Sequence, residues 1–171
     1  LAAYDQALKV KPDHRSAHIE KAYVEIGMRK FDAARADIEA ARKVAPNSLM
    51  VVYTEALLNF TEGKHAAARE SLQKILGAMP DHLPSVLLSG AVENALGSLT
   101  QSEQHLRKYL AAVPDHQYAR KLLVSTLLKL GQPAQAKEAM EPRMAQAAKD
   151  PQLLALAGEL AMQGREFGKA T

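Results

Sequence analysis

Three histidines in this sequence share one local pattern, and histidine is the residue type most often used for metal binding and proton transfer. His14, His82 and His116 each follow Pro-Asp, and their spacings are multiples of one constant interval. If that interval is a helical repeat, equivalent residues lie at least a helix-packing distance of about 8 to 10 Å apart. Zinc ligands must approach the ion to about 2.0 to 2.1 Å. We therefore predict that these histidines are turn and helix-capping residues and form no metal site.

A second group of residues formally matches a catalytic pattern. Ser71 and Lys74 fit the S-x-x-K motif of penicillin-interacting enzymes, but the companion S-D-N and K-T-G motifs are absent. Glu25 and Glu93 occupy equivalent repeat positions, which places them too far apart to form an acid–base pair. No glycine loop of the phosphate-cradling type is present. The sequence predicts no catalytic residue, no cofactor and no metal, so we do not expect an enzyme.

The composition excludes several other classes of function. The 22 basic and 19 acidic residues are mixed along the chain, which predicts no nucleic-acid partner. The absence of cysteine excludes a disulfide framework and a thiolate metal site. No apolar run is long enough to span a bilayer. Alanine and leucine dominate the 47% apolar content, which favours a helical fold with a buried core.

The elements that position all these residues follow from a single period. Prolines recur at equal intervals at Pro12, Pro46, Pro80 and Pro114. Small residues recur at the same interval on a second phase, at Ala34, Ala68, Ser102, Ala136 and Ala170. A third series holds small or compact residues at Ala22, Ala56, Gly90, Val124 and Gly158. Glycines form a fourth series at Gly63, Gly97 and Gly131.

Each series has a physical role in a helix–turn–helix unit. Small residues let two helices pack about 8 to 10 Å apart, and the glycines accept the left-handed conformation that follows a helix end. The prolines end the second helix of each unit. One such pair cannot bury its apolar face alone, so the units must stack. The sequence therefore predicts an all-α fold, a right-handed superhelical solenoid of antiparallel helix pairs.

The period divides the chain into one array. We expect the second helix of a truncated repeat at 1–14, complete repeats at 15–48, 49–82, 83–116 and 117–150, and the start of another truncated repeat at 151–171. The array is therefore expected to continue in a longer parent protein. In the fourth complete repeat, Pro142 falls inside the second helix, which predicts a kink or an early end near Glu141. Pro133 falls in the first turn of that helix, where a proline is harmless.

The chain resembles tetratricopeptide repeat proteins over its whole length, because that family has this repeat length, small residues and terminal proline. The large apolar position of the family is occupied by Tyr4, Ile38, Leu72, Leu106 and Met140. The usual tryptophan is replaced by His18, Val52, Val86, Arg120 and Leu154. The resemblance implies a helical scaffold that binds a protein or peptide partner.

A narrower resemblance lies in residues 83–133 and in the run DPQLLALAGELAMQGREFGKAT at 150–171. These segments are similar to the tetratricopeptide lipoproteins of bacterial PEP-CTERM and exosortase systems. That family implies a periplasmic, lipid-anchored protein associated with exosortase and exopolysaccharide machinery. Membrane contact is then expected only through a lipid anchor outside this sequence, and a cytoplasmic location stays an alternative.

The first helices of such a superhelix line its concave face, where we expect the partner to bind. The candidate residues are Ile19, Tyr23, Tyr53, Leu57, Phe60, Leu87, Ala91, Asn94, Lys121 and Ser125. The apolar part of this strip suits an amphipathic helix or an extended peptide. An alternative is that several of these side chains only pack between helices. Carboxylate-clamp chaperone adaptors need Lys, Asn and Arg at these positions, so that function is not expected.

Three functions remain open from the sequence. The first is a non-catalytic interaction scaffold. The second is a regulatory or targeting arm of a larger enzyme such as a glycosyltransferase, which the parent sequence beyond Thr171 would reveal. The third is a self-assembly module, because an array end exposes apolar surface that can pair with another copy. Sedimentation at high concentration distinguishes the third function from the others.

Overall fold

The computed structural model describes residues 1–141 and 151–167, without the side chains of residues 153 and 163–167. Its helices are α1 (Ala2–Val10), α2 (Arg15–Gly27), α3 (Phe31–Val44), α4 (Leu49–Thr61), α5 (His65–Ala78), α6 (Leu83–Ala95), α7 (Leu99–Ala112), α8 (Gln117–Lys129), α9 (Pro133–Met140) and α10 (Pro151–Phe167). The described residues contain no strand. Within them, no helix has both the length and the apolar character needed to cross a bilayer.

The helix boundaries repeat with the interval of the sequence. The first helix of each pair begins at Arg15, Leu49, Leu83, Gln117 and Pro151, which are equally spaced. The second helix begins at Phe31, His65, Leu99 and Pro133, at the same spacing. The connecting turns are short, so consecutive helices run antiparallel. The all-helical architecture of helix pairs is therefore confirmed.

The chain forms two compact units, residues 1–88 and 89–171, which we call unit 1 and unit 2. Helix α6 contributes its first residues to unit 1 and the rest to unit 2. Each unit is described by itself below.

The core of unit 1 is built from small and branched residues of α2, α3 and α4. It consists of Ile19, Ala22, Ile26, Ala34, Ile38, Ala41, Val51 and Leu58, with Tyr23, Phe31 and Leu57 packed against it. Ala22 and Ala34 are fully buried, as the small-residue series requires where two helices cross. Ile38, at the large apolar position of the repeat, is also buried. The sequence pattern thus predicted which helix faces turn inward.

In unit 2, helices α6 and α7 approach each other closely at Gly90. A Cβ atom built on Gly90 would lie 2.9 Å from the Cγ and Cδ2 atoms of Leu106, which is itself fully buried. The Ser102 hydroxyl donates a hydrogen bond to the Gly90 carbonyl at 2.8 Å across the same crossing. The absence of a side chain at residue 90 is therefore what lets α7 reach the α6 backbone.

The turns within the pairs contain the predicted left-handed residues. Gly63, Gly97 and Gly131 have φ angles of +81°, +76° and +69°. In the first complete repeat the equivalent residue is Arg29, with a φ of 60°. Its guanidinium lies 5.6 Å from the centroid of the Phe31 ring. A cation–π contact of this kind is worth about 0.5 to 1 kcal/mol at an exposed site, which offsets part of the cost of a left-handed arginine.

The Pro-Asp-His segments act as helix caps, as predicted. The Nδ1 atoms of His14 and His116 accept hydrogen bonds of 3.2 Å from the backbone amides of Ala17 and Ala119, at the starts of α2 and α8. His82 differs, because its Nδ1 atom is paired with the hydroxyl of Ser85 at 2.8 Å. The cap residues thus satisfy backbone or side-chain groups in the first helical turn.

The second helix of the fourth complete repeat is short. Helix α9 ends at Met140 after eight residues, whereas α3, α5 and α7 have 14 residues each. The predicted early end near Glu141 is confirmed, and Pro133 is the first residue of α9, where it leaves no intrahelical hydrogen bond unmade. Pro142 and Ala170 lie outside the described residues.

Replacing Gly90 with alanine tests the α6–α7 crossing. We expect Gly90→Ala to lower the free energy of unfolding by about 1 to 3 kcal/mol, the usual cost of overpacking, because the fully buried Leu106 would have to shift. Gly77→Ala is the matched control, since a Cβ atom there meets nothing within 4 Å. The control should be neutral or stabilise by up to about 1 kcal/mol. Urea denaturation measures both, and equal effects would contradict the close approach.

The histidine cap of α2 is tested at His14, which is exposed. We expect His14→Ala to cost about 1 kcal/mol of stability because the Ala17 amide loses its side-chain acceptor. His14→Asn should restore most of that loss, since asparagine is a preferred cap residue. Thermal unfolding followed by circular dichroism compares the three proteins at one pH. An asparagine variant as unstable as the alanine variant would show that His14 does not act as a cap.

Candidate functional site

Helix α4 presents a stripe of large apolar side chains that unit 1 does not fully bury. Met50, Tyr53, Leu57 and Phe60, here called the α4 stripe, are spaced three or four residues apart and so share one helix face. Met50 is 43% exposed and the other three are half-buried. The opposite face of α4 holds Val51 and Leu58, which are fully buried. The helix is therefore apolar on a face that the unit leaves accessible.

Aromatic rings from neighbouring segments flank the α4 stripe. The Tyr53 ring lies 6.4 Å from the Tyr23 ring and 5.9 Å from the His82 ring, in an edge-on contact, between centroids. The Phe60 ring lies 5.4 Å from the His65 ring. Burial raises the pKa of Tyr23 to about 12, against the opposing effect of its hydrogen bond with Thr54. The Tyr23 phenol is thus neutral at physiological pH, and the surface stays uncharged there.

The ten residues predicted from the sequence are not equally accessible. Ile19 and Ala91 are buried, at 4% and 5% exposure, and so contribute to the interiors of units 1 and 2. The half-buried residues are Tyr23, Tyr53, Leu57, Phe60 and Leu87 in unit 1, and Asn94, Lys121 and Ser125 in unit 2. Residues at one repeat position thus differ in depth, and the accessible apolar part of the prediction lies in unit 1.

In unit 2 the corresponding helix faces are polar and joined by hydrogen bonds. The Asn94 amide donates to the Thr126 hydroxyl at 2.7 Å, and the Lys129 ammonium donates to the Asn94 carbonyl oxygen at 3.0 Å. The Thr126 hydroxyl in turn donates to the Leu122 carbonyl at 2.7 Å. Lys121 donates to the Gln152 side chain at 3.0 Å. These side chains tie α6, α8 and α10 together.

The candidate catalytic residues of the sequence lie on different helices. Ser71 and Lys74 lie on α5, and Glu25 and Glu93 belong to different units. Burial lowers the pKa of His105, against the charge of Glu93, so its ring is neutral at physiological pH. Within the described residues, no three histidine, aspartate or glutamate side chains are grouped to hold a metal ion.

Two accessible residues at the second position of the first helix escaped the sequence prediction. Met50 and Tyr118 are 43% and 51% exposed and lie two repeats apart. The sequence could have indicated them, because both are large apolar residues at the same repeat position. His82 was predicted only as a turn residue, and its contact with the Tyr53 ring depends on the fold.

The helix pairs define a class of protein, the helical repeat scaffolds, and the comparisons specify the family. Models described as tetratricopeptide repeat match residues 19–82 and 93–160, together more than three quarters of the chain. The chain belongs to the tetratricopeptide repeat family. Proteins of this family generally act as protein-interaction scaffolds. A comparison with curated proteins gives no match.

Solved structures share the fold at low sequence identity. The structure of pilF from Pseudomonas aeruginosa is 20% identical, with a TM-score of 0.76, over 96% of this chain and 72% of that chain. The thermophilic tetratricopeptide repeat protein TTC0263 of Thermus thermophilus is 21% identical, with a TM-score of 0.72, over 92% of this chain and 87% of that chain.

A tetratricopeptide repeat protein from Parabacteroides merdae ATCC 43184 is 17% identical, with a TM-score of 0.72. The alignment covers 96% of this chain and 64% of that protein, so this chain spans less than two thirds of its length. At these identities the likeness establishes the fold alone.

The polar network of unit 2 is tested by removing one hydroxyl. We expect Thr126→Val to lower the free energy of unfolding by about 1 kcal/mol, because the Asn94 amide loses its acceptor while the side-chain shape is kept. Thr61→Val is the control, since its hydroxyl donates to the Leu57 carbonyl of its own helix. That variant should change stability by less than about 0.5 kcal/mol. Urea denaturation compares the pair, and equal losses would contradict a network role for Thr126.

Proposed function

We propose that this chain is a non-catalytic scaffold that binds a peptide or helix of a partner protein at the α4 stripe. The observation that supports the proposal is the run of Met50, Tyr53, Leu57 and Phe60 along one accessible helix face. Large apolar side chains left accessible in a contiguous patch are typical of protein interaction sites. Aromatic and methionine side chains are also the types enriched at the centres of interfaces.

Unit 1 is the more suitable of the two units for this role. Its face offers apolar area whose removal from water favours binding by roughly 25 cal/mol per Å². In unit 2, Asn94 and Lys129 already satisfy each other, so a partner would have to displace existing hydrogen bonds. We therefore assign the contact with the partner to the α4 stripe.

We further propose a bacterial envelope setting for the scaffold. The support is the similarity of residues 83–133 and 150–171 to lipoproteins of exosortase systems. In that setting the full-length protein is periplasmic and lipid-anchored, and its partner belongs to exosortase or exopolysaccharide machinery. Fractionation of the source cells tests the compartment independently of any binding measurement.

The double variant Tyr53→Asp, Leu57→Asp tests the binding surface. Two carboxylates on the stripe should abolish partner binding, because an apolar partner face would have to desolvate them. Affinity capture with cross-linking from the source cells compares the variant with the native chain, and circular dichroism establishes that the variant is folded. We expect a captured partner to be reduced at least about tenfold, corresponding to a loss of roughly 1.4 kcal/mol in binding free energy.

The matched control is Val44→Asp, which places a carboxylate on an apolar residue of unit 1 that is 47% exposed and lies outside the α4 stripe. It should capture the same partner as the native chain. Equal recovery by the double variant would reject the α4 stripe as the site. Loss in both variants would mean that added negative charge, rather than the stripe, weakens binding.

A further inference from the structure

Charged side chains from three helices of unit 1 meet at one point. The Lys21 ammonium lies 3.1 Å from a carboxylate oxygen of Asp5 on α1 and 3.1 Å from one of Asp37 on α3. It lies 3.8 Å from the Glu25 carboxyl on its own helix. The other Asp37 oxygen is 2.5 Å from Nδ1 of His18. A single ammonium group is therefore shared among carboxyl groups of α1, α2 and α3.

Burial of Glu25 favours its protonated form. The residue is 4% exposed, and an ionised carboxyl group is costly to bury unless charges and hydrogen-bond donors compensate it fully. Burial raises the pKa of Glu25, and the charge of Asp37 raises it further. Glu25 Oε2 is buried and has no hydrogen-bond partner among the described residues, so none of them donates there to stabilise the ionised form.

One ion pair of this group of charges links helix α1 to α2. No residue of α1 is fully buried, so its apolar contacts with α2 are partial. The ion pair between Asp5 and Lys21 joins the two helices, and the Asp5 side chain is 49% exposed whereas that of Lys21 is 21% exposed. If Lys21 moves away, water can therefore solvate the Asp5 carboxylate at little cost. The buried Glu25 carboxyl group has no such access to water.

We propose that a proton on Glu25 leaves Lys21 free to hold α1 through Asp5, and that loss of this proton draws Lys21 to Glu25 and loosens α1. The Oε2 atom of an ionised Glu25 is buried and meets no donor within the described part of the chain, and an unpaired buried charge is strongly disfavoured. Lys21 is already 3.8 Å away, so a small movement forms the pair. Asp5 then turns to solvent.

The direction of the pH dependence follows from the groups that face Glu25. These are Asp37 from α3, Lys21 from α2 and Asp5 from α1, while His18 acts on the far side of Asp37. The pKa of Glu25 is raised in the folded chain, so its contribution to stability is complete below the unfolded value of about 4.3. That contribution is lost as the pH rises through the folded pKa. Attachment of α1 should therefore weaken with increasing pH.

Hydrogen exchange of the α1 amides tests the device in the 171-residue chain. Protection factors, corrected for intrinsic exchange, are measured by NMR between about pH 5 and about pH 9, a range in which exposed aspartates stay ionised. We expect α1 protection to fall about two- to fivefold across the range, the effect of losing one partly exposed ion pair. Protection of α7 should stay constant. A flat α1 profile in the native chain would overturn the proposal.

Two variants test separately the titration of Glu25 and the link between Asp5 and Lys21. Glu25→Gln has nearly the shape of the protonated carboxyl group and does not titrate, so α1 should stay protected at every pH. The same pH profile in this variant as in the native chain would show that Glu25 is not the titrating group and would overturn the proposal. Asp5→Asn changes only a half-exposed residue and should give low α1 protection at every pH. A native profile in that variant would exclude Lys21 as the link.

Discussion

The close approach of paired helices is the constraint on which the rest of this structure depends. Gly90 leaves no room for a methyl group beside Leu106, and Ala22 and Ala34 are fully buried in unit 1. Where small residues meet, the helices come near enough for the flanking large residues to be buried between them. The short turns, the caps and the left-handed glycines then serve to return the chain at the correct distance for the next crossing.

Different side chains are compatible with this close packing at the repeat position where the family usually has tryptophan. His18 Nε2 and an Arg120 guanidinium nitrogen each donate to the carbonyl of the proline six residues earlier, Pro12 and Pro114. At the same position in the intervening repeats, Val52 is half-buried and Val86 is buried. A hydrogen bond to the turn and an apolar contact are therefore alternative ways to fix the start of the first helix.

The first helices of the two units also differ in chemistry, because their faces are apolar in unit 1 and polar in unit 2. Unit 1 leaves Tyr53 and Leu57 partly accessible, whereas Asn94 and Thr126 of unit 2 use their polar groups to bind each other. The cost of burying unpaired polar groups explains why an apolar binding face contains few of them. A polar group left unpaired beneath a bound partner costs about 1 to 3 kcal/mol, so an apolar face is the better binding surface and a polar face is better connected internally.

The sequence by itself determined the helices, their order and their turns, because these depend on local requirements that recur in each repeat: a small residue, a cap, a glycine or a proline. It also determined which faces turn inward. Only the tertiary structure decided that Ile19 is buried while Tyr53, at the same repeat position, is partly accessible. It alone joined Asp5 and Asp37 through Lys21. Burial and charge pairing are set by whichever side chains the neighbouring helices supply, and the period of the sequence does not specify them.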